Sequence, residues 1–146
     1  MSPLFPNIPT TLDLNGPELS FTTQPVGAAI SVSSGIATFT GIATATFPAD
    51  QTSRNSNTGA ISYQWYKNST ALTDGANITG SGTTTLTLSG LTSPTDNNTI
   101  VFLQADYVPS AYTGTTPNAI NEPLNSNNAT LTVFPTISID TQPVST

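Results

Sequence analysis

Apolar residues alternate with polar ones along this chain and nowhere keep the 3.6-residue period of an amphipathic helix. Gly, Pro, Asn-Ser and Asp-Gly interrupt the sequence about every 8 to 15 residues. Such a pattern allows short strands joined by turns and little else. Its clearest stretch is ISYQWYKNSTAL at 61–72. As a strand, this run points Ile61, Tyr63 and Trp65 to one side and Ser62, Gln64 and Tyr66 to the other. Strands are expected near 18–26, 30–33, 36–46, 61–67, 84–89, 99–106 and 129–134. One or two helical turns fit only near 91–98. Short strands between regular turn signals predict an all-β sandwich.

Composition agrees. Charged residues make up 7% of the 146, and Thr, Ser and Asn supply the polarity in their place. Thr suits a half-solvated pleated surface; Asn, Gly and Pro suit turns. A disordered chain is the competing reading of low hydrophobicity, but such chains carry high net charge, whereas here it is −6 and the apolar residues alternate in separate runs. Two basic residues in total cannot neutralise a row of phosphates, so no nucleic-acid partner is expected. No apolar run approaches the roughly 18 residues of a membrane span. The opening MSPLFPNIPTTLDLNGP has neither a basic stretch nor an apolar one and does not read as a signal peptide.

One internal repeat is visible. PELSFTTQPV at 17–26 returns as PTISIDTQPV at 135–144, with Gln142 standing 118 positions after Gln24. That offset matches a whole sandwich domain rather than a small solenoid unit. The expected organisation is an extension over 1–16, one domain over 17–134, and over 135–146 either the start of a second repeat or a C-terminal strand like the first. A bare strand of this kind would seek another sheet, so association of copies through it is an expectation too.

GIATFTGIATA at 35–45, YQWYKN at 63–68, TLTLSGLTSPTDNNTIVFLQA at 85–105 and ATLTV at 129–133 resemble strands B, C, E–F and G of an immunoglobulin-like domain. The Thr-rich, Cys-free style and the TQP near the start also resemble the I-set-like tandem repeats of bacteriophage virion proteins and bacterial surface proteins. The resemblance implies about seven antiparallel strands, with the strand C Trp lying over a B–F disulfide. Cysteine is absent here, and Gly41 and Phe102 stand in those two places. Phe102 is therefore expected to fill the core beneath Trp65, with Gly41 leaving room for it. The Tyr of the family's E–F corner is replaced by Ile100, so that corner is expected to rest on Asp96 or on packing.

Little in the chain suggests catalysis. His and Cys are absent, which removes the commonest general base, metal ligands and thiol nucleophiles. The eight acidic residues are scattered singly, and Asp74 and Asp96 sit in turn contexts. No catalytic residue, metal site or cofactor is expected. Asn68, Asn77, Asn97 and Asn128 each head an N-x-S/T sequon, which a chain rich in Asn and Thr produces by composition. The segment expected to carry function is the F–G connection, 107–128, with Tyr107, Tyr112 and Glu122 as contact residues. The alternative is that the strands run on and the Tyr rings cover the core edge. Two functions follow from the resemblance. One is a structural and display module on a virion head, neck or tail, with other virion subunits as partners and weak attachment to host-surface glycans. The other is a carbohydrate- or receptor-binding adhesin module on a bacterial cell surface.

Overall fold

Every second residue is buried over 99–105 and 129–134, and this alternation helps to build two layers. The computed structural model describes residues 17–33, 35–47, 59–109 and 122–141. One layer joins β1 (Glu18–Thr23) to β4 (Ile42–Thr46), and β3 (Ala37–Thr40) to β8 (Thr85–Leu88) and β7 (Ile78–Thr79). The other runs in the order β2 (Ala28–Ser31), β11 (Ala129–Phe134), β9 (Thr99–Pro109), β5 (Gly59–Lys67), β6 (Thr70–Ala71). β10 (Leu124–Asn125) also pairs with β9. No helix occurs among the described residues; the stretch near 91–98 is a series of turns.

The first expected strand, 18–26, ends early at Thr23, and the chain then changes sheets before β2, which falls where 30–33 was expected. β1 lies antiparallel to β4, and β2 lies parallel to β11 in the opposite layer. The crossing falls at Gln24 to Gly27, where Pro25 has no N–H to give to a ladder. The Gln24 carboxamide oxygen accepts the Asn127 N–H at 2.8 Å and ties the crossing to the link between β10 and β11. Gly27 lies so close to β11 that a Cβ there would stand 2.9 Å from the Thr130 carbonyl oxygen.

The expected strand 36–46 is divided in two. β3 pairs with β8 and β4 with β1, and Gly41 lies between them with its N–H on the Thr84 carbonyl at 2.9 Å. Burial alternates straight through the break, over Ala37, Phe39, Gly41 and Ala43.

At the centre Trp65, Phe39, Leu86, Leu103, Leu131, Val101 and Val133 are fully buried. Trp65 donates its indole N–H to the Thr83 carbonyl at 2.8 Å and its backbone N–H to Ser81 at 2.8 Å, so the β7–β8 turn closes over strand β5. Its aromatic neighbour is Phe39, with ring centroids 6.4 Å apart and planes tilted at 49°.

Phe102 does not fill the core beneath Trp65. Trp65 stands opposite Leu103 and Tyr66 opposite Phe102 in the β5–β9 register, and successive residues face opposite ways. Leu103 therefore occupies the core, and Phe102 sits half-buried on the outer face. Gly41 makes room for Leu103 instead: a Cβ at Gly41 would lie 2.8 Å from Leu103 Cδ2.

Candidate functional site

The outer face of the six-stranded sheet gathers what the core does not use. Phe102 and Tyr66 stack there with centroids 4.9 Å apart and planes 2° from parallel. The Tyr66 hydroxyl donates to the Gln104 carboxamide oxygen at 3.2 Å, and Gln104 donates to Asn125 Oδ1 at 3.0 Å. Gln64, opposite Gln104, turns its amide onto the Trp65 and Leu72 carbonyls at 2.9 and 2.8 Å. Phe134 and Val108 add exposed apolar surface on the same side of their strands. The result is a strip of two stacked rings bordered by carboxamides. Alternation alone set Tyr66 opposite to Trp65, whereas Phe102 was legible as outward only once the register was known.

The residues expected in the F–G connection separate. Tyr107 lies on β9 rather than in a loop, because that strand runs on to Pro109. It shares the inward parity of Leu103 and Ala105, is half-buried, and meets Phe47 edge-on at 5.4 Å and 78°. Burial pushes its phenol pKa up. This is the alternative in which a Tyr ring covers the core edge. Gly59 opposes this end of β9, where a Cβ would lie 2.4 Å from the Tyr107 hydroxyl. Glu122 is exposed just before β10. Tyr112 lies outside the described residues.

The ionisable groups at the turns hold backbone. Asp74 Oδ1 accepts the Ser81 N–H at 2.7 Å, and Ser81 holds the Asp74 carboxyl below its ordinary pKa. Asp96 pairs with Lys67 and accepts the Thr92 N–H and hydroxyl at 2.8 and 3.2 Å. Burial alone would raise its pKa; Lys67 and Thr92 outweigh burial and lower it. The corner that lacks the family's Tyr thus rests on Asp96. Lys67 and Asp96 also line a shallow cleft with Asn77 and Gly90, but they are already satisfied by one another. Two sequons have structural work as well. Asn68 Oδ1 accepts the Ile100 N–H, and Asn97 Oδ1 accepts the Val133 N–H, each at 2.9 Å. No group of three or more His, Cys, Asp or Glu able to hold a metal ion occurs among the described residues. No helix among them is long and apolar enough to cross a membrane.

No family model matches the chain and no curated protein resembles it. Solved structures do. Sidekick-1 immunoglobulin domains 1–5 match with a TM-score of 0.52 at 20% identity, over 87% of this chain and 22% of that one. Tandem Ig repeats of Dlar match at 0.51 and 19%, over 81% of this chain and 48% of that one. Extracellular domains 3–5 of Drosophila OTK match at 0.51 and 17%, over 85% and 38%. The chain spans less than half the length of each. What it shares with them is the fold: this is an immunoglobulin-like β-sandwich, and it contains no cysteine to cross-link its sheets.

Proposed function

We propose that the protein is a non-enzymatic structural and display module of a phage virion, carried on head, neck or tail, with weak attachment to host-surface glycans as its binding role. The observation that carries the non-enzymatic part is the fate of the polar side chains. Asp74, Asp96, Lys67, Asn68, Asn97 and Gln24 each hold backbone or one another. Lys67 and Asp96 share a shallow cleft, but there each neutralises the other. The virion assignment rests on the Cys-free, Thr-rich tandem style of the sequence. The glycan role is supported by the outer sheet face, where rings suit the C–H faces of sugars and carboxamides suit their hydroxyls. Tyr66, Phe102 and Gln104 are the residues assigned to that contact.

The test is a binding screen of the full chain against bacterial capsular and lipopolysaccharide glycans, alongside the Tyr66→Ala and Gln104→Ala variants. Saturable binding that either variant weakens about tenfold or more, a loss of about 1.4 kcal/mol, supports the reading. Binding untouched by both variants rules out this face. Immunogold labelling then decides the location: label on purified particles supports a virion module, and label confined to intact bacterial envelopes supports the adhesin reading.

A further inference from the structure

We infer that residues 135–141 are the first strand of a second sandwich of the same build, which follows this one head to tail. The segment leaves β11 with no spacer. The Phe134 carbonyl still accepts the Val32 N–H at 3.1 Å, and the repeated sequence begins at the next residue, Pro135. Over 135–141 no strand pairing occurs, and Ile137 and Ile139 are 90% and 70% exposed. Two branched apolar side chains at alternate positions form the inward face of a strand that lacks its sheet.

The repeat identifies the missing neighbour. Ile137 and Ile139 stand where Leu19 and Phe21 stand in the first copy. In this sandwich Leu19 lies opposite Ala45 and Phe21 opposite Ala43, small residues that leave room for larger partners across the pair. Phe21 packs against the core, so the position it shares with Ile139 is an inward one. The neighbour of 135–141 is therefore a strand like β4 in the following unit.

The copied residues also exclude simple addition to an exposed sheet edge. Between the two copies Thr23, Gln24, Pro25 and Val26 recur unchanged as Thr141, Gln142, Pro143 and Val144. In this sandwich Thr23 ends β1, and Gln24, Pro25 and Val26 begin the crossing from one sheet to the other. Gln24 reaches Asn127 there, and Pro25 Cδ would lie 3.6 Å from a Cβ on Gly41. A strand that only extends an edge needs no crossing; the opening strand of a complete sandwich does. The copy departs at Ser145, which replaces Gly27, so the second unit's last strand must stand further from the crossing than Thr130 does here. This inference is independent of what the module attaches to.

The test joins residues 1–141 directly to a second copy of 24–134, so that only 135–141 can supply the second unit's first strand. Calorimetry of this fusion should give about twice the unfolding enthalpy of the full chain, since enthalpy scales with folded residues. Ile137→Asp with Ile139→Asp in the fusion should return it to about the single-unit value. The same pair in the full chain should leave its melting temperature unchanged, because this sandwich does not use the two residues. The inference is overturned by a fusion with only one unit's enthalpy, or by aspartates that leave the doubled value intact. It is equally overturned if they lower the melting temperature of the full chain.

Discussion

Leu103 and Phe102 are chemical neighbours with opposite duties, and mutation should separate them. Leu103 is fully buried against Trp65 and Gly41, whereas Phe102 lies outside on Tyr66. Leu103→Ala should cost about 2–5 kcal/mol, the usual range for a buried large-to-small change. Phe102→Ala removes mainly a ring pair worth about 0.5–1.5 kcal/mol. Urea unfolding of the two variants checks the order; a larger loss at Phe102 would mean the register is wrong by one residue. Gly41→Ala should destabilise by about 1–3 kcal/mol through overpacking against Leu103 Cδ2. In a Leu103→Ala background that cost should shrink, because the atom it strikes is gone. Additive losses would show that Gly41 is required for some other reason. The sequence could not distinguish these roles. Ile100, Val101, Phe102 and Leu103 are four consecutive apolar residues, so no polar residue between them marks which parity faces in. Only pairing with the clearly alternating strand around Trp65 does so.

At the scale of elements, the two places where a disulfide or a Tyr corner is missing have local substitutes. β4 is flanked by β1 on one edge only, because β8 pairs no further than β3. The Ala43 N–H and carbonyl on the other edge meet the Tyr63 hydroxyl at 3.2 and 3.3 Å, a bond from one sheet to the other. Tyr63→Phe should cost about 1–3 kcal/mol by stranding those backbone groups. Hydrogen exchange at Ala43 should accelerate with it, and an unchanged Ala43 amide would refute this role. At the 92–96 corner, the folded Asp96 pKa lies below its ordinary 3.8. A depressed carboxylate contributes stability above its unfolded pKa and loses it as pH falls through the folded one. The melting temperature should therefore drop as pH falls below about 4, and Asp96→Asn should flatten that limb while lowering stability near neutrality. An equally steep acid limb in the variant would place the titrating group elsewhere. The sequence left two supports for the corner, Asp96 or packing; the Lys67 partner of Asp96 was not legible, since 29 residues separate them and only the β5–β9 pairing brings them together.

For the whole molecule, alternation gave away the sandwich, while turn chemistry alone did not give its strand breaks. The crossing at Pro25 and the switch of partners at Gly41 depend on which neighbour each half-strand finds, and that is a tertiary fact. The scarcity of charge, in contrast, was plain from composition and has a consequence for the assembled fold. Lys67–Asp96 is an ion pair shielded from most solvent, with side chains 25% and 15% exposed. Salt should weaken so protected a pair only slightly. Screening also relieves the self-repulsion of a net charge of −6, which acts in the opposite direction. Both terms are small and they oppose each other, so the stability of the sandwich rests on apolar burial and backbone pairing. Raising NaCl from about 0.05 to 0.5 M, which shortens the screening length from beyond 10 Å to well under it, should shift the melting temperature by less than about 4 °C, the equivalent of roughly 1 kcal/mol. A fall well beyond that would mean that Lys67–Asp96 holds more of the fold than its geometry implies, and a comparable rise would assign the same weight to self-repulsion.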